Sequence, residues 1–272
     1  MRQTLMITAT LAIASATTAD TITVCPDGSC DFTSVTAAVN ASQPGDLIEI
    51  GAGTYFLGST IDTDGKAITV RGELDDQGNP ATRLDGQGTR RVLRCQDGET
   101  LSTVFENLAF VNGESSAGAG IRINHSGPTF INCLVEGSVD GGGVYLYNAR
   151  PSFIDCTIRN NHDDWSGGGF SIYDNSNPTL INTVICSNTA KYDAQLSLDQ
   201  GSTWTDDGDN CISDDCGDCE SGPSADLNGD GVVDGADFGL MLSLWGSPGI
   251  SDLNGDGTTN GSDIGLLLVE WS

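Results

Sequence analysis

Apolar and polar residues alternate through the middle of the chain in short runs broken by Gly, Asn, Asp and Pro, a pattern of strands rather than helices. Three runs are near copies: PTFINCLVEG from Pro128, PSFIDCTIRN from Pro151 and PTLINTVICS from Pro178, with a weaker copy, TVFENLAFVN, around Phe105. Asn107, Asn132, Asp155 and Asn182 fall at equivalent places, separated by 25, 23 and 27 residues. A glycine-led run precedes each Pro-led one: GAGIRI from Gly118, GGGVYL from Gly141 and GGGFSI from Gly167. The pattern predicts stacked turns, each of two strands with tight corners.

Short strands repeating at a little over roughly 20 residues are what a right-handed parallel β-helix requires, with inward side chains stacked one rung apart. The Asn/Asp positions would form a ladder inside one turn. Cys133 and Cys156 would stack inward on neighbouring rungs, close enough to pair or to serve as small core residues, and buried thiols are the favoured reading. Toward the N-terminus, FTSVTAAVNASQPGDLIEIGAGTYFL predicts a short helix over Ser34 to Ala41, a Pro-Gly-Asp turn and a strand at Leu47 to Ile50; KAITVRGE supplies the next strand. An open sheet edge needs a cover, and the helix is placed to cap it.

Beyond Ala225 the periodicity changes to that of helices. Phe238, Met241, Leu242 and Trp245 repeat as Ile264, Leu267, Leu268 and Trp271, each set spaced i, i+3, i+4, i+7. Such spacing gives one apolar face per helix, and the aromatics are read as core where the two faces meet. Each helix follows a twelve-residue loop, DLNGDGVVDGAD from Asp226 and DLNGDGTTNGSD from Asp252, with oxygen donors at calcium-loop spacing. The first loop offers Asp226, Asn228, Asp230, the Val232 carbonyl, Asp234 and Asp237. The second offers Asp252, Asn254, Asp256, the Thr258 carbonyl, Asn260 and Asp263. Two such loops in register predict two Ca2+ sites.

Charge agrees with that reading. Thirty-eight acidic residues against eleven basic ones give a formal charge of −27, and no Lys or Arg follows Lys191. That balance repels nucleic acid and anionic membranes and attracts cations. MRQTLMITATLAIASATTAD reads as a secretory signal peptide, with Arg2, an apolar stretch from Leu5 to Ala14, and cleavage expected after Ala16 or Ala19. No later stretch predicts a membrane span. In an exported chain, nine cysteines imply disulfides: Cys25 and Cys30 flank a Pro-Asp-Gly turn and could form a local staple. Cys211, Cys216 and Cys219 are read as a disulfide-pinned linker or end cap rather than an iron–sulfur ligand set, for which a fourth Cys is missing.

PGDLIEIGAGTY, KAITVRGE, LDGQGTRRVL and the Gly-led and Pro-led rungs together resemble the pectin-lyase-like and polymorphic-outer-membrane-type β-helix proteins, over roughly Asp20 to Gln200. The duplicated loop-helix units resemble a type I dockerin, with Asp237 and Asp263 at loop position twelve instead of the Glu of an ordinary EF-hand. The dockerin resemblance implies docking onto a cohesin-like module, although Gly235-Ala236 and Gly261-Ser262 lack the hydroxyl pair familiar at the partner-contact positions. The expected organisation is a signal peptide (1–19), an all-β right-handed parallel β-helix with an N-terminal helical cap (20–205), an Asp/Cys-rich linker or end cap (206–223) and a small α-helical calcium-binding dockerin-like domain (224–272).

The β-helix resemblance implies extended polysaccharide as a ligand. Candidate residues lie in NHDDW, read as a loop inserted between rungs: His162, Asp163 and Asp164 for proton transfer, and Trp165 to stack on a sugar ring. Tyr145, Tyr147 and Tyr173 would line the same flank. The pectate-lyase pattern R-x-P-x-x-R is absent around Arg150-Pro151 and Arg159. The expectation is therefore a secreted calcium-binding module, extracellular or surface-associated, that recognises extracellular polysaccharide or a cell-surface structure, with a polysaccharide lyase or glycoside hydrolase delivered by its dockerin as the alternative.

Overall fold

The corners of the solenoid come from backbone that few residue types adopt readily. Asn107, Asn132, Asp155 and Asn182 have φ of 58°, 47°, 52° and 48°, in the left-handed region that Asn and Asp tolerate better than other side-chain-bearing residues. Each ends one short strand and starts another in a new direction. The computed structural model describes residues 19–199, 201–220, 225–228, 232–247, 249–253, 257–269 and 271. It wraps the strands into a parallel β-helix of about seven turns with three faces.

The first face holds eight strands, from Thr21–Val24 to Thr205–Asp206, the second seven, from Gly53–Phe56 to Cys211–Ser213, and the third six, from Ile61–Asp62 to Leu196–Leu198. A turn therefore has three strands, not two. PTFINCLVEG is two strands, Thr129–Ile131 and Leu134–Glu136, split at Asn132. The Asn/Asp ladder forms on the outer rim of that corner, where Asn132 Nδ2 donates to Asn107 Oδ1 at 3.1 Å and Asn182 Nδ2 to Asp155 Oδ1 at 3.1 Å.

Inward residues stack turn upon turn. Phe105, Phe130 and Phe153 form a column with ring centroids 5.1 and 4.7 Å apart. Beside it, Cys133 and Cys156 are buried free thiols, and Thr183 continues their ladder. Cys133 Sγ, Cys156 Sγ and Thr183 Oγ1 lie 3.4, 3.6 and 3.2 Å from the carbonyls of Phe105, Phe130 and Phe153. A second interior ladder is polar: Asn161 Oδ1 accepts from the Ser138 N–H at 3.0 Å, and Asn188 Oδ1 accepts from the Asn161 N–H at 3.0 Å. These amides satisfy buried backbone where the second face turns into the third.

Disulfides pin both ends. Helix α1 (Val35–Ala41), capped by Ser34, buries Val35, Ala38 and Val39 against the first turn, and Cys25–Cys30 is a disulfide. At the other end Cys186 pairs with Cys216 and Cys211 with Cys219, around the short helix α2 (Gly217–Glu220). Helices α3 (Gly235–Ser243) and α4 (Gly261–Val269) pack through Met241 and Leu267, with Ala225 and Val233 beneath them. Trp245 and Trp271 are not core: they are 50% and 45% exposed, as are Leu242 and Leu268 at 48% and 55%. The nine-residue helices end before either tryptophan, so the i+7 positions leave the helical path. Residues 1–18 of the expected signal peptide lie outside the described residues.

Candidate functional site

Outward residues of the third face alternate with its core residues, so successive turns line them up in rows. Arg94, Arg122, Tyr145, Ser171 and Ser197 form one row, and Asn124, Tyr147 and Tyr173 the next. The rings of Tyr145 and Tyr173 stack diagonally at 5.4 Å, and the Arg122 guanidinium lies 5.5 Å from the Tyr145 ring centre. Burial pushes the Tyr145 phenol up, with Arg122 opposing it, so Tyr145 is neutral across the physiological range. Tyr147 is exposed beside the His125 ring at 5.6 Å.

The aromatic strip continues onto the corner between the second and third faces. Tyr173 OH is 3.4 Å from Ser166 Oγ, next to Trp165, which is 62% exposed. Trp165 meets Tyr192 edge to face at 5.3 Å, and Lys191 Nζ lies 4.6 Å from the Trp165 ring centre and 5.0 Å from that of Tyr192. Arg122 and Lys191 have no carboxylate partner among the described residues; aromatic rings take that place. Exposed aromatic rings beside hydrogen-bonding cations suit hydroxylated, ring-shaped ligands.

The segment NHDDW is only partly an inserted loop. Asn161 belongs to the interior amide ladder, and His162 pairs through its backbone with Thr189. The His162 ring lies between Thr189 Oγ1, 2.8 Å from Nδ1, and Asp164 Oδ1, 3.3 Å from Nε2. Asp163 Oδ1 accepts the N–H groups of Trp165 and Ser166 at 2.7 and 3.0 Å, so this carboxylate shapes the turn that presents Trp165. The structure thus brings His162, Asp164, Trp165 and Tyr173 onto one surface with Tyr145. Arg122, Lys191 and Tyr192 join them without having been singled out. Tyr192 was recoverable from the repeat, because it pairs with Ser166 one turn earlier.

In the tail, the described parts of the two loops repeat each other. Asp237 Oδ2 accepts the Asp234 N–H at 2.9 Å, and Asp263 Oδ2 accepts the Asn260 N–H at 2.7 Å. Asp234 Oδ1 accepts the Ala236 N–H at 2.7 Å, and Asn260 Oδ1 the Ser262 N–H at 2.9 Å. Asp237 and Asp263 are fully buried. The Asp234 N–H holds the Asp237 carboxyl below the usual carboxylate range. Asp252 Oδ2 accepts the Gly257 N–H at 2.7 Å, closing the second loop across its turn. Asp226, Asn228, Val232 and Thr258 are described; Asp230, Asn254 and Asp256 lie outside the described residues.

No helix among the described residues is long and apolar enough to cross a membrane. No curated protein matches the chain. Among solved structures, it is similar to the pectate lyase Pel9A, at 16% identity and a TM-score of 0.41 over 73% of this chain; it spans 64% of that enzyme. A pectin methylesterase from carrot gives 17% and 0.40, over 73% of this chain and 84% of that one. A pectin methylesterase from Aspergillus niger gives 15% and 0.40, over 74% and 86%. Residues 84–233 match the family described as right handed beta helix region, more than half of the chain, and the protein belongs to that family.

Proposed function

We propose that this protein is an exported recognition module that holds an extended polysaccharide along its third face and is kept in place by a calcium-loaded, dockerin-like tail. The observation that carries the reading is the aromatic strip with its two ring-bound cations: Tyr145, Tyr173, Trp165 and Tyr192 with Arg122 and Lys191. Tyr147 extends it along the next row. Affinity electrophoresis of the full chain through a panel of acidic and neutral polysaccharides tests it. Trp165→Ala and Tyr173→Ala are each expected to weaken retention by the best glycan about tenfold, from roughly 1–1.5 kcal/mol of lost stacking. Retention unchanged in both variants would overturn the reading.

On this reading residues 1–19 are a signal peptide, 20–205 the β-helix, 206–223 an Asp/Cys-rich linker or cap and 224–272 the tail. Both tail loops offer only hard oxygen donors, including the buried carboxylates of Asp237 and Asp263, which is the donor set Ca2+ takes. Asp226, Asn228, Asp230, the Val232 carbonyl, Asp234 and Asp237 would hold one ion, and Asp252, Asn254, Asp256, the Thr258 carbonyl, Asn260 and Asp263 the other. The exposed Leu242, Trp245, Leu268 and Trp271 form matched apolar spots for a cohesin-like partner. Chelation is expected to abolish the helical circular-dichroism signal of α3 and α4, because the metal offsets the repulsion of clustered carboxylates. The same helicity with and without chelator would sink the calcium assignment.

A second reading, a polysaccharide lyase or glycoside hydrolase, is favoured by one contact: the His162 ring lies between Asp164 and Thr189, in the segment that carries Trp165. Unsaturated or reducing-end products released from the same polysaccharide panel would replace the recognition reading with this one.

A further inference from the structure

The aromatic strip of the third face is bordered by more carboxylates than cations. Asp163 and Asp164 precede Trp165, Asp174 follows Tyr173 and Asp193 follows Tyr192, all at least partly exposed. Asp199 lies beside Tyr173 one turn on: its N–H donates to the Ile172 carbonyl at 3.1 Å, and its Oδ2 accepts the Asp174 N–H at 3.0 Å. Against these five carboxylates stand three cations with no carboxylate partner among the described residues: Arg122, Lys191 and Arg150, the last at the corner beyond Tyr147. Farther back on the face, Arg94 is paired with Asp62 at 2.6 Å. Arg91 spends its guanidinium on the carbonyls of Ala117 and Gly118, at 2.8 and 2.9 Å. The local surplus is negative, as it is for the whole chain at −27.

The two cations inside the strip are held over rings. Lys191 Nζ lies 4.6 Å from the Trp165 ring centre and 5.0 Å from that of Tyr192. Arg122 lies 5.5 Å from the Tyr145 ring centre and gives its Nε–H to Asn124 Oδ1 at 3.3 Å. Their remaining N–H groups donate to hydroxyls as well as to anions, so this pair does not by itself select a charged sugar. The carboxylates select against one. A polyanion laid along the strip brings like charges within about a Debye length of each other, roughly 10 Å at 0.1 M salt. A neutral glycan meets none of that repulsion and keeps the stacking on the electron-rich ring faces.

We propose that the ligand of the third face is a neutral glycan, built of uncharged sugars, and that the carboxylates bordering the strip exclude polyanionic ones. This rests on the recognition reading above and narrows it to one substrate class. Stacking on Tyr145, Tyr173 and Trp165 supplies the attraction, Arg122 and Lys191 donate to hydroxyls, and charge supplies the discrimination.

The test is affinity electrophoresis of the full chain through hydroxyethyl cellulose, xyloglucan, galactomannan and carboxymethyl cellulose, at about 0.02 M and about 0.3 M salt. Hydroxyethyl and carboxymethyl cellulose share a backbone and differ in charge. At least one neutral glycan is expected to retain the protein equally at both salts, and about tenfold less in Trp165→Ala. Carboxymethyl cellulose is expected to retain it about tenfold or more weakly than the best neutral glycan at low salt. Asp174→Asn/Asp193→Asn removes two carboxylates at corners with φ of 55° and 43°, backbone that Asn adopts equally well. This double variant is expected to leave neutral-glycan retention unchanged and to raise carboxymethyl cellulose retention at low salt about threefold. No rise in the double variant would overturn the exclusion by charge. Tighter retention by carboxymethyl cellulose than by every neutral glycan, lost in Trp165→Ala and Tyr173→Ala, would overturn the proposal while leaving the recognition reading in place. Retention by no glycan at either salt would overturn both.

Discussion

Phe130→Ala is expected to destabilise the solenoid by about 3–5 kcal/mol, the range for emptying a large buried site. The Phe130 ring is fully buried and stacks on Phe105 at 5.1 Å and on Phe153 at 4.7 Å, with Phe110 edge-on at 6.1 Å. Its loss removes contacts on both sides of a middle turn. In a stacked architecture each turn contacts only its neighbours, so nothing farther away compensates. Thr129→Ala, one residue away and outward, should change stability by less than about 0.5 kcal/mol. Urea unfolding of the two variants checks this, and a Phe130→Ala midpoint close to that of Thr129→Ala would contradict the role given to the column.

The second large effect centres on Glu99, a carboxylate only 2% exposed. Its Oε1 accepts from Thr63 Oγ1 at 2.7 Å and the Gly65 N–H at 3.1 Å. Its Oε2 accepts from Ser126 Oγ at 2.7 Å and the Asp97 N–H at 3.0 Å. The four donors come from three successive turns, so one side chain ties three corners together. Burial works to raise its pKa, but the hydroxyls of Thr63 and Ser126 and the backbone donors outweigh burial and bring it below the ordinary glutamate value. A carboxyl depressed in the folded state stabilises the fold above its unfolded pKa, and that contribution disappears as pH falls through the folded pKa.

Stability is therefore expected to decline in acid below about pH 4.5, the ordinary glutamate value. Asp97 works the other way: burial, then Asp62, Glu99 and Asp64, raise its pKa, so protonating it relieves repulsion. Glu99→Gln turns one acceptor oxygen into a donor facing donors. Leaving such groups unsatisfied costs about 1–3 kcal/mol each. The variant should be less stable at pH 7, and its stability should fall less steeply in acid than that of the parent. Parallel stability curves from pH 7 to pH 3 would remove Glu99 from this role.

Much of the architecture was legible because the solenoid repeats its corners. Asn107, Asn132, Asp155 and Asn182 marked one corner in four successive turns, and Ser34 and the apolar run at Leu47 marked the cap and the strand beneath it. The third strand of each turn was hidden for a physical reason: inward and outward residues keep alternating almost through the Asn132 corner, so two strands read as one. The aromatic strip was half legible. Tyr145, Tyr147, Tyr173 and Trp165 stood out as large outward residues, but Lys191 over Trp165 depends on a loop bend that periodicity does not encode. Asn161 looked like loop because a buried amide and an exposed one are the same letter; only its bond to Asn188 reveals the interior ladder. Pairing of Cys186 with Cys216 spans 30 residues and is set by the stacking of turns.

That last cross-link has a mechanical consequence. A pull on the C-terminal tail would enter the solenoid at its final rung, where the strand Cys211–Ser213 is held by hydrogen bonds to Val184–Cys186 alone on that face. The Cys186–Cys216 bond carries the load covalently past this outer strand to the one beneath it, and Cys211–Cys219 closes the remaining slack. Tension that would peel an unlinked end strand by strand instead meets the stacked interior as a whole. Reduction of the cap should convert that resistance into stepwise unzipping from the tail inward.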